Sequence, residues 1–159
     1  MLVLVVVAAC GKKAATLDRG EVEQKVGAEA AKLVGVKTAG VTCPADIKPA
    51  AGASFTCAVK FQGGGTLTFK VSQTNDTGSL AVAADGDWLL GDTMEKDLVT
   101  ELFLIGHPEA TVECGDAVMP IKLPGQVQCT VKKAGTAVTK VAVAVDASRN
   151  VEWKLVGGP

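Results

Sequence analysis

Phe55-Thr56-Cys57-Ala58-Val59-Lys60-Phe61-Gln62-Gly63-Gly64-Gly65-Thr66-Leu67-Thr68-Phe69-Lys70-Val71 is the stretch that decides the fold. Positions 55, 57, 59 and 61 carry large apolar residues or cysteine, and small or polar residues stand between them. The same alternation resumes at Leu67, Phe69 and Val71. Successive strand residues point to opposite faces, so this period-two pattern predicts strands with one apolar face. The three glycines between them supply the backbone freedom of a turn. The stretch therefore reads as an antiparallel hairpin that needs a cover on one side.

Working outward, Asn75-Asp76-Thr77-Gly78 turns the chain into a further alternating run, Leu80, Val82 and Ala84. Upstream, Val22, Val26, Ala30 and Leu33 recur at helical spacing. They follow Asp18-x-x-Glu21, a capping-box-like start signal. A helix with this apolar face is the element available to cover the sheet.

The same order of features returns later in the chain, the signature of an internal repeat. Asp92-x-x-Glu95 answers to Asp18-x-x-Glu21, and Leu98, Leu102 and Ile105 mark a second helix face. Val112-Glu113-Cys114 answers to Val41-Thr42-Cys43, and Cys129-Thr130-Val131-Lys132 to Cys57-Ala58-Val59-Lys60. Strand signals follow at Val127, Cys129 and Val131, at Val141, Val143 and Val145, and at Val151, Trp153 and Leu155. Turns are expected at Ala134-Gly135 and Ser148-Arg149-Asn150, and each copy closes on a tryptophan, Trp88 or Trp153. The expected fold is α+β: two tandem units, each one helix packed on a small four-stranded antiparallel sheet with one disulfide. The expected organisation is a lipoprotein signal peptide over 1–9, a lipid-anchored linker over 10–16, a first module over 17–90 and a second over 91–159.

Five cysteines are present. Cys43 and Cys57 are 14 apart (57 − 43) and Cys114 and Cys129 are 15 apart (129 − 114), so each local pair would close a similar loop. In an exported chain two disulfides are the natural reading. A zinc site is disfavoured because no C-x-x-C spacing occurs and a single histidine is present. The fifth cysteine, Cys10, follows the apolar run Met1 to Ala9, which is far shorter than the roughly 20 residues of a membrane-spanning helix. Val7-Ala8-Ala9-Cys10 resembles the bacterial lipobox, which implies lipidation of Cys10 and export to the extracytoplasmic side of the cell envelope. Lipoprotein signals normally begin with Lys or Arg and none precedes Cys10, the pattern of a leader that starts upstream of Met1. The competing reading of this run is a buried N-terminal strand.

Val41-x-Cys43-Pro44, Gly52-Ala53-Ser54-Phe55-Thr56-Cys57 and the closing Gly86-Asp87-Trp88 resemble a bacterial family known as domain of unknown function 4333. The resemblance covers about 17 to 88 and implies a secreted or lipid-anchored module with a helix, a small sheet and a cysteine pair. It implies no active-site residues. Residues 92 to 155 depart from it, with Gly115 in place of the proline and Val127 in place of the phenylalanine. In layout alone, two helix-and-sheet units with local disulfides also resemble secreted β-lactamase-inhibitor proteins.

Formal net charge is −1 and no basic run exceeds Lys12-Lys13, so nucleic acid is not an expected partner. His107, the single histidine, sits where a helix should end, a position that suits its charged form near the helix dipole's negative end. No serine has a neighbouring base to activate it. Asp85-Gly86-Asp87 and Asn75-Asp76-Thr77 lack calcium-loop order and read as turns. Neither metal nor cofactor is expected. Trp88 and Trp153 are candidate partner contacts, although inward packing is the favoured reading for both. Arg19 and Arg149 are the sole arginines, which leaves few interface anchors. These features point to a non-enzymatic, membrane-anchored protein with a binding or structural role, engaging a protein partner of the envelope. The alternative is an inhibitor that binds a secreted or periplasmic enzyme through its sheet faces.

Overall fold

The structure is a computed structural model that describes residues 16–157. It is α+β, with two helices, antiparallel sheets and two disulfides. Cys10 and the segment before it lie outside the described residues.

Helix α1 runs from Arg19 to Val34. The Asp18 carboxylate accepts the backbone N–H of Glu21 at 2.8 Å, satisfying one of the four donors a helix start leaves unpaired. Gly35 ends the helix in the left-handed region, φ 79°, and donates its N–H to Ala31. Val22, Val26 and Ala30 are buried as expected, and the fourth member of the stripe is Val34. Leu33, expected inward, is 51% exposed. The apolar ridge follows i, i+4 steps, and a three-residue step from Ala30 lands on its flank.

Strands β1 (Thr38–Thr42), β2 (Ser54–Phe61), β3 (Thr66–Gln73) and β4 (Leu80–Ala84) form an antiparallel sheet in the order β1-β2-β3-β4. Cys57 pairs with Phe69 and Val59 with Leu67. These four, with Phe61 and Val71, are buried on one face together with Val22, Val26 and Ala30. Gln73 is the buried polar residue of this region, and both ends of its amide are satisfied: it donates to Lys48 O at 2.9 Å and accepts from Ala50 N–H at 3.0 Å. The bonds pin the proline-containing connection between Cys43 and Cys57 to the sheet.

Strand β5 (Asp87–Leu90) leads directly into α2 (Gly91–Leu104). The expected capping box at Asp92 is absent: the cap residue is Leu90, without a side-chain hydrogen bond. The reason is that Gly91 donates its N–H to Ala117 O at 2.9 Å, so strand pairing sets where the helix begins. Leu98 and Leu102 are buried as expected and Met94 joins them, whereas Ile105 lies past the helix end and is 53% exposed.

The second four-stranded antiparallel sheet joins β6 (Ala110–Glu113), β8 (Gly125–Lys133), β9 (Thr136–Val145) and β10 (Val151–Leu155) in the order β6-β8-β9-β10. Cys129 pairs with Val141 and Val131 with Thr139. Cys129, Val131, Val141 and Val143 share a core with Met94, Leu98 and Leu102. Strand β7 (Val118–Ile121) pairs instead with β5, Leu90 opposite Val118 and Trp88 opposite Pro120.

That short ribbon ties the two sheets together. Val118 is fully buried, and the core it enters is that of the first sheet. Ala117 N–H bonds Gly63 O at 3.0 Å. Gly65 has φ 92°, and a Cβ built on it would overlap the Val118 carbonyl oxygen. The glycine turn read from the sequence is therefore also the surface on which 116–118 docks.

Candidate functional site

Both cysteine pairs are bonded as expected. Cys43–Cys57 has an S–S distance of 2.09 Å and Cys114–Cys129 one of 2.06 Å, and all four residues are buried. A carboxylate one helix away braces each. Glu23 Oε1 accepts the backbone N–H of Cys43 at 3.0 Å, and Glu95 Oε1 accepts that of Cys114 at 2.8 Å. Glu23 and Glu95 are each the fifth residue of their helix. The two glutamates thus make the same bond from the same place in their helices, whereas Glu21 donates its backbone N–H to Asp18. The hydrogen bond from Cys43, then that from Arg19, hold the Glu23 carboxyl below its ordinary pKa against the opposing effect of burial.

The two tryptophans do not occupy matching places. Trp153 lies in β10 opposite Val143, where β4 has Val82 opposite Val71. Trp88 belongs to β5, beyond the turn that ends β4. Each is half-buried against its core. Trp88 and its neighbour Asp87 also meet a distant part of the chain: Arg149, 62 residues after Asp87, donates from Nη2 to Asp87 Oδ1 at 2.7 Å, and its guanidinium carbon stands 6.0 Å from the Trp88 ring centroid. The turn that presents Arg149 is built on Asp146, whose side chain accepts from Asn150 and Ser148. The Asn150 side-chain bond, followed by the backbone N–H bond of the same residue, lowers the Asp146 pKa.

The site that the sequence reading missed is a cleft of about 370 Å³ at the end of the second sheet. Its floor is Leu102 and Val131, both buried, and its walls include Ala110, Val138 and Leu155. His107, placed at the helix end as expected, stands on its rim with Glu109 and Lys133. The signal was present in the sequence once β2 and β8 are aligned on their cysteines. Position 133 then answers to 61 and 139 to 67, since 133 − 61, 139 − 67 and 129 − 57 all equal 72. The first sheet has Phe61 and Leu67 there, both buried, and the second has Lys133 and Thr139.

Among the described residues no group of three His, Cys, Asp or Glu side chains is placed to hold a metal ion, and no helix is long and apolar enough to cross a membrane.

Residues 2–78 match the model of a family described as Domain of unknown function (DUF4333). That stretch, just under half of the chain, is similar to the family. The match takes in Cys10, helix α1, the Cys43–Cys57 disulfide and strands β1 to β3, and it stops before β4. Gly86-Asp87-Trp88, on which the sequence resemblance closed, lies beyond the DUF4333 match. No curated protein and no solved structure matches the chain.

Proposed function

We propose that the chain is a bacterial lipoprotein, acylated at Cys10 and held on the extracytoplasmic side of the cell envelope, with a non-enzymatic binding or structural role. The observation that carries this reading is the cysteine pairing. Four of the five cysteines are joined to each other. The fifth ends an apolar run on two small residues, Ala8-Ala9-Cys10. Two acyl chains on one residue give stable anchoring where a single chain gives marginal binding.

The exported part is read as two copies of one helix-and-sheet unit. Its supports are the two sheet orders, the Glu23–Cys43 and Glu95–Cys114 hydrogen bonds, and the common offset of Cys57 and Cys129 with their partners Phe69 and Val141. The partner is a protein of the envelope.

Membrane fractionation of a bacterium expressing the chain behind a complete leader tests the anchor. The wild-type protein is expected in the membrane fraction and labelled by radioactive palmitate, while Cys10→Ala is released and unlabelled. Equal membrane retention and labelling of Cys10→Ala would overturn the reading.

A further inference from the structure

The cleft at the end of the second sheet extends this reading and stands whether or not Cys10 is acylated. In the first sheet the corresponding end is plugged: Phe61 and Leu67 are buried, Phe61 lies 6.4 Å from Phe69 between ring centroids, and Val118 shares their core. In the second sheet Lys133 is exposed and Thr139 is half-buried. The Thr139 hydroxyl is already engaged, donating to Gly157 O at 2.7 Å. What remains inside is apolar, and it is open to solvent at Val138 and Leu155, 42% and 50% exposed.

We propose that this cleft binds a fatty acid, its chain against Leu102, Val131, Val138 and Leu155 and its carboxylate on Lys133. A volume of about 370 Å³ falls in the range of small-molecule sites, which runs from about 300 to 1,000 Å³. Apolar walls with the polar side chains His107, Glu109 and Lys133 on the rim suit a hydrocarbon chain with one polar end. The neighbouring Lys132 is already paired with Glu113, whereas Lys133 makes no ion pair among the described residues. Glu109 on the same rim disfavours a doubly charged head, which selects a carboxylate over a phosphate. The ligand is therefore a single-chain monoanion.

Calorimetric titration of the full, disulfide-bonded chain with octanoate, decanoate and dodecanoate below their micellar concentrations tests this. Affinity is expected to rise about three- to fourfold per methylene until the cleft is full. The matching alcohols are expected to bind about three- to tenfold more weakly, for want of the carboxylate. The double substitution Lys133→Phe with Thr139→Leu, which installs the residues of the first sheet, is expected to abolish binding while the protein still unfolds cooperatively. Should that variant not fold, Val138→Asp on the exposed wall must weaken binding at least about tenfold. Affinity independent of chain length, equal binding of alcohol and acid, or undiminished binding by a folded closed variant would overturn the proposal.

Discussion

The ends of the two sheets have the same strand order and the same register around their disulfides, yet one is packed and the other is open. Phe61, Leu67 and Val118 fill the first; Lys133 and Thr139 leave the second as a cleft. The difference teaches that the register around a disulfide can be kept while the hairpin end beyond it changes both its pairing and its packing. Register depends on alternation and on the cysteine positions, which both sheets keep. Closure depends on two or three large side chains near the hairpin turn, and where the second sheet lacks them its ladder also slips, with a bulge between Val131 and Lys132 that the first hairpin does not have.

The strongest way to break the comparison is to empty the packed sheet. Phe69 is fully buried and stands where the second sheet has Val141. Phe69→Ala is expected to destabilise by about 3–5 kcal/mol. Val141→Ala is expected to cost clearly less because fewer atoms are removed. Urea denaturation followed by tryptophan fluorescence compares the two.

Next in size are the disulfides, where the halves should behave alike. The loops close over 14 and 15 residues. In the chain-entropy picture each bond therefore contributes about 3 kcal/mol. The double variants Cys43→Ala/Cys57→Ala and Cys114→Ala/Cys129→Ala should shift the urea midpoint by similar amounts. A markedly unequal pair of shifts would show that one bond supports packing as well as loop closure.

Gly65→Ala attacks the docking between the halves. The new Cβ would meet the Val118 carbonyl on a backbone with positive φ. A loss of about 1–3 kcal/mol is expected. Scanning calorimetry should also show a single transition separating into two as Val118 leaves the first core.

Acid sensitivity gives the smallest effect. The Glu23 and Asp146 carboxyls titrate below their ordinary range in the folded protein. Their stabilisation is therefore present above the unfolded-state pKa values and disappears as pH falls through the folded-state ones. Glu23→Gln is expected to flatten the fall in thermal midpoint on acidification near the first helix, and Asp146→Asn to flatten the part that arises at the Arg149 turn.

Much of the fold was legible because its signals are local. Alternation at Phe55 to Phe61 and Val141 to Val145, and glycine or asparagine between runs, are consequences of pleat and turn geometry acting on near neighbours. What was missed depends on distant parts of the chain. Helix α2 begins where β5 pairs with β7, which the Asp92 signal does not register. Strand β7 contains Pro120, a residue that argues against a central strand yet is accommodated in a two-stranded ribbon. The cysteine match already set Phe61 against Lys133, but a cleft depends on which side chains meet across the fold, and that is not written in either strand alone. Of the candidate site residues, the four paired cysteines were read directly from spacing. Cys10 was read from the run before it and lies outside the described residues.

The central claim is that all five cysteines are accounted for, four in two local disulfides and Cys10 as the lipid anchor. Non-reducing mass spectrometry of the mature protein, purified from a bacterium that expressed it behind a complete leader, tests this most directly. The account predicts a chain beginning at Cys10, its N-terminal peptide carrying acyl chains, with cross-linked peptides joining Cys43 to Cys57 and Cys114 to Cys129. A chain that keeps residues 1–9 ahead of an unmodified Cys10 would contradict it.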